Sequence, residues 1–240
     1  MTALITGANK GIGYATAKKF LSEGHKIIIS GRNEKKLSEA KNFLGQNCEY
    51  IVWDISNVSL SAEVIEKAHS IFGDINIFVN NAGIVCKDDN GAEQVGFFEK
   101  SEEGWDYTMD VNLKGTFFAL QAEAAYMRKN GIRGNIVNVC SEMGFRPAAF
   151  AYGISKWGVR GMTMGAGAEL APFGIVVNAV APGETATEIL HQKEGEIKKI
   201  NSPRGIQAAP EEIAEAIYFL SQSRNIIGEI LVTDGGRRLY

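Results

Sequence analysis

The chain has little of what would divide it or cross-link it. It contains only 5 prolines in 240 residues, and no Pro/Ser-rich linker, repeat or composition shift separates one part from another, so we expect one domain over residues 1–240. Its 3 cysteines, Cys48, Cys86 and Cys140, are far apart and odd in number. This pattern argues against a disulfide framework and against a zinc site, so the sequence predicts no bound metal.

Charge of one sign and long apolar runs are also scarce. The net charge is -3 with both signs interspersed, which provides no basic face for nucleic acid. No apolar run approaches the roughly 18 residues that would span a membrane. The start of the chain lacks the basic and apolar regions of a secretory signal, and its end lacks a tail anchor, so we expect a cytoplasmic protein. The 45% hydrophobic content is ample for a large core.

Near the start of the chain, three glycines separate an apolar run from a helical pattern. Ala3 to Ile5 predicts a buried strand, and Thr16 to Leu21 predicts a helix. The glycines between them, at Gly7-x-x-x-Gly11-x-Gly13, would let backbone N–H groups at the helix N-terminus face a pyrophosphate. The commonest dinucleotide fingerprint is Gly-x-Gly-x-x-Gly, so an ordinary glycine-rich turn is an equal alternative for this motif alone.

Beyond this turn, short β-branched runs alternate with amphipathic stretches. This alternation predicts an α/β fold, a single doubly wound parallel sheet of Rossmann type with helices on both faces. The predicted strands after the first are Lys26–Ser30, Glu49–Val52, Ile75–Asn80, Asn135–Val139, Ile175–Val180 and Glu229–Val232. The predicted helices after the first are Glu34–Asn42 with Asn33 as N-cap, Ser61–Phe72, Trp105–Lys129, one starting near Phe150, and Pro210–Leu220.

In such sheets ligands bind at the carboxyl ends of the strands, so the residues that follow each strand are the candidates for a site. Ser141 follows one strand, and Tyr152 and Lys156 begin the next helix at a spacing that places both on one face. Residues 184–207 are rich in charge and poor in strand pattern. We expect this segment to be a mobile lid over the substrate.

Five motifs occur in a fixed order: Thr6-Gly7-x-x-x-Gly11-x-Gly13, Asn80-Asn81-Ala82-Gly83, Ser141, Tyr152-x-x-x-Lys156 and Pro182-Gly183. This ordered set resembles the short-chain dehydrogenase/reductase family over essentially the whole chain. The resemblance implies an oxidoreductase that moves a hydride between a nicotinamide cofactor and a carbonyl or secondary alcohol. It also implies four catalytic residues: Asn112, Ser141, Tyr152 and Lys156.

The chemistry of these side chains agrees with that implication. A tyrosine with a pKa of about 10 is a poor base near neutral pH, and the Lys156 ammonium one turn away would lower the pKa of Tyr152. Ser141 can donate to the carbonyl oxygen where charge builds. By resemblance, Asn112 orders a water beside Lys156. The loop between Ser141 and Tyr152 is shorter than is usual in the family, so we expect an unusual wall of the substrate pocket.

Each of these positions also has an interpretation in which the residue has only a structural role. Tyr152 and Lys156 could be a surface pair on an amphipathic helix, Asn112 could satisfy neighbouring backbone, and Asn80 and Asn81 could be turn formers. For the whole protein, alternatives are epimerase or dehydratase chemistry on the same scaffold, or a dinucleotide-binding sensor without catalysis.

Cofactor choice depends on the end of the second strand. A site that prefers NAD usually carries an acid there, whereas this chain has Ser30-Gly31-Arg32. Arg32 presents a planar fork of donors suited to a phosphate, and Lys10 adds a second cation, so we expect NADP(H) to be preferred over NAD(H). With Tyr152 and Lys156, the expected cofactor-binding set is Gly7, Asn9, Lys10, Gly11, Ile12, Gly13, Arg32, Asp54, Ile55, Asn80, Ala82, Gly83, Pro182, Gly183, Thr185 and Thr187.

The expected partners are a small-molecule carbonyl or alcohol substrate and further copies of the chain. Candidates to face the substrate are Glu142, Met143, Phe145, Glu184 and Thr185. By resemblance, the helices that contain Asn112 and Tyr152 pack against a second subunit. We therefore expect a homodimer or homotetramer with an interface that includes Phe117, Phe118, Val159 and Met162.

Overall fold

The computed structural model describes residues 1–85, 97–98, 101–190, 192–193 and 195–239. Within this part of the chain seven strands form one sheet in the order β3-β2-β1-β4-β5-β6-β7, and every neighbouring pair is parallel. This confirms the predicted doubly wound α/β fold. The strands are β1 (Thr2–Thr6), β2 (Lys26–Gly31), β3 (Cys48–Val52), β4 (Ile75–Asn80), β5 (Gly134–Val139), β6 (Ile175–Pro182) and β7 (Ile230–Thr233).

Helices cover both faces of the sheet and connect its strands. They are α1 (Gly11–Ser22), α2 (Glu34–Leu44), α3 (Ser61–Phe72), α4 (Glu102–Met109), α5 (Thr116–Asn130), α6 (Ala151–Leu170) and α7 (Pro210–Gln222). Asn33 caps α2 as predicted, because its side chain accepts from Lys36 N at 3.0 Å. The predicted bounds of α3 and β4 match the structure, and the other predicted elements differ mainly by a few residues at their ends.

In the central strands, successive side chains pack into two different hydrophobic cores, one on each face of the sheet. In β1, Leu4 packs in a core beneath α3 and α5, whereas Ala3 and Ile5 pack on the opposite side with α1 and α7. In β4, Phe78 belongs to the first core and Val79 to the second. This alternation is the period of an extended strand, and both faces are apolar because helices cover both.

The predicted helix from Trp105 to Lys129 is the least regular element. Between α4 and α5, a π-helical turn spans Asp110–Gly115. Single π turns inside helices often occur at functional sites, because the extra residue re-aims the local side chains. Here the turn contains Asn112, which is fully buried.

The described cysteines, Cys48 and Cys140, are free and buried, and Cys86 lies outside the described residues. Within the described ranges no helix combines the length and the hydropathy that a membrane crossing would need. The same ranges contain no group of three or more His, Cys, Asp or Glu side chains placed to hold a metal ion.

Candidate active site

The carboxyl ends of the strands open into a cavity of about 880 Å³. It lies where the strand order reverses between β1 and β4, which is the usual ligand position in doubly wound sheets. Most of the predicted site residues line it: Gly7, Asn9, Lys10, Gly11, Ile12, Arg32, Asp54, Ile55, Ala82, Gly83, Ser141, Tyr152, Lys156, Pro182, Gly183, Thr185 and Thr187. Three predicted residues, Gly13, Asn80 and Asn112, are not part of that lining.

The glycine turn forms one end of the cavity. Gly7 and Gly11 have φ values of 65° and 58°, in the left-handed region where a residue with a Cβ is strained. Gly13 has a different task, since a Cβ there would lie 2.6 Å from both Asn81 Nδ2 and Gly7 O. Gly13 therefore permits close packing of α1 against the turn. The N-terminus of α1 faces the cavity through Gly11 and Ile12, which suits an anionic ligand.

Thr6 and Asn81 fasten the turn to the end of β4. Thr6 Oγ1 accepts from the backbone N–H groups of Asn81 and Ala82, both at 2.9 Å. Asn81 Nδ2 returns a hydrogen bond to Thr6 O at 2.8 Å. These contacts set the distance between the two loops on either side of the strand reversal, so Asn81 is a site residue beyond the predicted set.

Two of the predicted site residues, Asn80 and Asn112, form hydrogen bonds with backbone groups and do not line the cavity. Asn80 Nδ2 donates to Thr116 O at 2.8 Å. Asn112 makes a reciprocal pair with Ile84, accepting from its N–H at 2.8 Å and donating to its carbonyl at 2.7 Å. The side chain of Asn112 therefore fixes the cavity wall beside Gly83, and its part in a proton relay stays a prediction.

Two cations lie around the cofactor end. Arg32 Nη1 donates to the hydroxyl of Tyr107 on α4 at 3.2 Å. Lys10 pairs with Glu188 at 2.6 Å, and both side chains are about half exposed. Exposed pairs of this kind contribute little stability, so an incoming phosphate can displace them. Glu34, the acid that follows Arg32 most closely in the sequence, accepts a hydrogen bond from the Tyr50 hydroxyl at 3.5 Å.

The candidate catalytic residues line the end of the cavity opposite the glycine turn. Ser141 follows β5 and caps a short helical turn, with its Oγ accepting from Met143 N at 3.2 Å. Tyr152 and Lys156 occupy the first turns of α6. The Lys156 ammonium is buried, donates to Val139 O at 3.0 Å, and lies 5.6 Å from the centroid of the Tyr152 ring.

Burial has the largest effect on the pKa values of Tyr152 and Lys156. It raises the pKa of Tyr152 to about 12, and the hydrogen bond with Ser141 only partly opposes that rise. Burial also lowers the pKa of Lys156 from its ordinary value. The sequence predicts that Lys156 lowers the pKa of Tyr152. That prediction is wrong, because the loss of solvation on burial raises the pKa of Tyr152 instead.

The short loop between Ser141 and Tyr152 is braced by α6. Trp157 Nε1 donates to Arg146 O at 2.9 Å, and Arg160 Nη1 donates to Gly144 O at 3.2 Å. The Arg160 guanidinium lies 4.2 Å from the centroid of the Phe145 ring. Phe145 is predicted to face the substrate, but it is not among the residues that line the cavity. The shortened loop still leaves Ser141 in contact with Tyr152.

A cluster of charges closes the substrate end. Arg237 follows β7 and contacts Glu142 at 2.7 Å and Glu184 at 2.6 Å. Arg146 lies 3.8 Å from the same oxygen of Glu142. Sequence reasoning missed Arg237 and Arg146, although Arg237 could have been found as a residue just beyond the carboxyl end of a predicted strand. Other lining residues missed include Trp53, Ile84, Phe150, Ile189 and Leu190.

The residues suit a nicotinamide dinucleotide. The turn at one end offers backbone N–H groups and cations for phosphates, and the other end places a lysine and a tyrosine in one pocket. Both ends line the same cavity.

Comparison with known proteins agrees with this geometry. The family model described as short chain dehydrogenase matches residues 1–198. The 3-oxoacyl-[acyl-carrier-protein] reductase FabG of Thermotoga maritima is 38% identical, with 97% of this chain and 96% of the relative covered. Glucose 1-dehydrogenase 2 of Bacillus subtilis is 33% identical, over 100% of this chain and 95% of that protein.

Solved structures show the same similarity. The structure described as "ElxO with NADP Bound" has a TM-score of 0.87 and 31% identity, with 100% of this chain and 99% of that chain covered. The chain therefore belongs to the short-chain dehydrogenase/reductase family. It is an NAD(P)-dependent oxidoreductase of that family.

Proposed function

We propose that this enzyme transfers a hydride between NADP(H) and a carbonyl or secondary alcohol, with Tyr152 as general acid and base. The observation that carries the proposal is the meeting of Ser141, Tyr152 and Lys156 at one end of a cavity whose other end is a glycine turn. The bound nicotinamide supplies or accepts the hydride. Every remaining task falls to side chains of this chain.

In the direction of reduction, Tyr152 gives its phenolic proton to the oxygen on which charge develops. Ser141 donates a hydrogen bond to the same oxygen and stabilises that charge. Lys156 donates to Val139 O, which keeps its ammonium beside the tyrosine, 5.6 Å from the ring centroid. By family resemblance, Lys156 also holds ribose hydroxyls of the cofactor. In oxidation the same groups act in reverse.

Preference for NADP(H) is supported by the end of β2. Ser30 is buried and Gly31 carries no side chain, so neither can repel a phosphate on the ribose. Arg32 lines the cavity, and its guanidinium matches the donor geometry that phosphate accepts. Lys10, across the opening, adds a second positive charge. The NADP bound by the structural neighbour ElxO is consistent with this choice.

We also propose that residues 184–207 form a lid, that the enzyme is a homodimer or homotetramer, and that it works in the cytoplasm. The lid lines the cavity through Glu184, Thr185 and Glu188. Assembly is supported by exposed aromatic residues on α4, α5 and α6: Trp105, Tyr107, Phe117 and Trp157. A reducing compartment is consistent with the free thiols of Cys48 and Cys140.

A spectrophotometric screen tests the oxidoreductase proposal. Purified enzyme is mixed with NADPH or NADH and a panel of ketones that includes hydroxyketones, ketoacids and thioesters of 3-oxoacids. The proposal predicts cofactor oxidation with at least one class and higher kcat/KM with NADPH. Tight cofactor binding without oxidation by any substrate would instead support a non-catalytic sensor.

A further inference from the structure

The chain that follows β6 returns to the glycine turn and contacts it at two places. Glu188 Oε2 lies 2.6 Å from Lys10 Nζ. The side chain of Thr187 lies against the turn as well, because its Cγ2 is 3.4 Å from the place where a Cβ on Gly11 would be. The glycine turn and residues 187–190 line the same cavity. The ion pair of Lys10 and Glu188 therefore joins two parts of the proposed cofactor site.

The segment that carries Glu188 is fixed at its base by backbone hydrogen bonds. Ala186 N donates to Ala208 O at 2.9 Å, and Ala208 N donates to Glu184 O at 3.0 Å. The contact of Glu188 with Lys10, in contrast, is made by side-chain atoms. Loss of the ion pair therefore frees the Glu188 side chain from the glycine turn and leaves the base of the segment in place.

Lys10 and Arg32 extend from two backbone segments that lie side by side. A Cβ placed on Gly31 would be 3.3 Å from Asn9 Oδ1, so the residues that precede the two cations are neighbours. Both cations line the cavity. Arg32 donates to the neutral hydroxyl of Tyr107 at 3.2 Å, whereas Lys10 is paired with a carboxylate. An anion that binds to Lys10 therefore meets a negative charge that is already there.

The ion pair is charged and accessible to a ligand. The side chains of Lys10 and Glu188 are 47% and 49% exposed. The hydrogen bond from Lys10 lowers the pKa of Glu188 below its ordinary value, so the carboxylate is ionised at neutral pH. Exposed ion pairs contribute little free energy, so another anion can replace one partner.

We propose that Glu188 is a specificity-determining residue for the cofactor, because it occupies Lys10 until the 2′-phosphate of NADP(H) replaces it. NAD(H) lacks this phosphate and leaves the ion pair intact. Glu188 thus acts through Lys10, and it sets how strongly the site distinguishes the two cofactors. Binding of the phosphate also frees the Glu188 side chain from the glycine turn. The inference rests on the proposed preference for NADP(H) and names the residue that opposes it.

Two nucleotide fragments isolate the effect of the phosphate. Adenosine 2′,5′-bisphosphate carries the 2′-phosphate, 5′-AMP lacks it, and neither contains the nicotinamide. Their Kd values are measured by isothermal titration calorimetry. Glu188→Gln should bind the bisphosphate about two- to fivefold more tightly than the wild type, the range for one exposed ion pair. Lys10→Met should bind it more weakly. Glu196→Gln, which removes a charge from the same segment, is the matched control and should change neither Kd.

A double variant tests whether Glu188 acts through Lys10. In the Lys10→Met background, Glu188→Gln should leave the Kd of the bisphosphate unchanged, because the competing ion pair no longer exists. The Kd of 5′-AMP should stay the same in all variants, which also shows that each variant is folded.

Limited proteolysis gives a second measurement that does not depend on affinity. The bisphosphate should increase the cleavage of residues 184–207 in the wild type, because it frees the Glu188 side chain. It should cause no further increase in Glu188→Gln, and 5′-AMP should have no effect on either protein. Because neither fragment contains the nicotinamide and no substrate is present, closure over a substrate does not enter the measurement.

The outcomes separate this inference from the proposed function. Equal Kd values of the two fragments for the wild type would overturn the preference for NADP(H) and this inference together. Tighter binding of the bisphosphate that Glu188→Gln does not improve would overturn the role of Glu188 alone. An equal effect of Glu188→Gln with and without Lys10 would overturn the competition for Lys10. Cleavage that the bisphosphate does not change would overturn the release of the segment. None of these results depends on turnover.

Discussion

At the scale of single residues, the protonation of Tyr152 decides how the site works in each direction. Its pKa is raised to about 12 by burial, so the phenol holds its proton throughout the neutral range. A protonated tyrosine is ready to act as an acid. It can act as a base only after a deprotonation that burial disfavours.

The consequence is a difference in pH dependence between the two reaction directions. For ketone reduction, kcat/KM should stay flat from neutral to moderately alkaline pH, because the protonated form predominates over that range. For alcohol oxidation, kcat/KM should rise with pH over the same range, because the phenolate fraction grows. Steady-state profiles in both directions measure this. Loss of reduction close to neutral pH would contradict it.

Arg32 is the residue on which cofactor choice depends. Arg32→Asp replaces an attraction for phosphate with a repulsion, so kcat/KM with NADPH should fall by about 10- to 100-fold, while the value with NADH should change little. Tyr107→Phe is the matched control, because it removes the hydrogen-bond partner of Arg32 and keeps the cation. A wild-type kcat/KM that is higher with NADH would refute this interpretation of the end of β2.

At the scale of elements, the sequence predicts regular structure better than it predicts side-chain tasks. The bounds of α3 and β4 are predictable because their periodicity is local. The π turn at Asp110–Gly115 is not predictable, because such a turn depends on the packing of the helix against neighbouring elements. The roles of Asn80 and Asn112 also depend on distant partners, Thr116 and Ile84.

The charged residues around Arg237 could not be predicted from the sequence either. Glu142, Glu184 and Arg237 come from three separate loops, and no spacing in the sequence relates them. The order of motifs in the family resemblance brings Ser141, Tyr152 and Lys156 together correctly. It carries no information on the residues that surround the substrate.

The segment 184–207 provides a test at this scale. One of its contacts with the glycine turn is the pair between Lys10 and Glu188, so Glu188→Gln should increase the rate at which proteases cleave the segment. Cofactor and substrate should slow cleavage of the wild type if the segment closes over them. Glu196→Gln in the same segment is the control. Equal cleavage with and without ligand would argue against a lid.

At the scale of the whole molecule, the sheet order and the position of the cavity follow from the alternation of strands and helices. The surface that joins subunits is harder to derive. The sequence places Val159 at an interface, and the structure corrects this, because Val159 is fully buried within its own chain. Phe117 remains a suitable candidate, since it is 43% exposed and packs edge-on against Phe118.

Assembly can therefore be tested through Phe117. Light scattering at micromolar concentration should give the mass of a dimer or tetramer for the wild type. Phe117→Asp should shift the mass toward the monomer, because a charge at the centre of an apolar contact is costly to bury. Phe43→Asp, at an exposed position on α2, is the control and should keep the wild-type mass. A monomeric wild type would contradict the proposal.

The central claim is that Tyr152 supplies the proton in a hydride-transfer reaction, and one variant tests it most directly. Tyr152→Phe preserves the ring and its packing and removes only the hydroxyl. With a ketone substrate from the screen, kcat should fall by at least about 100-fold, the lower range for general acid catalysis, while the Kd for NADPH measured by fluorescence titration stays within about threefold. A variant that binds NADPH normally and retains near-normal kcat would contradict the account.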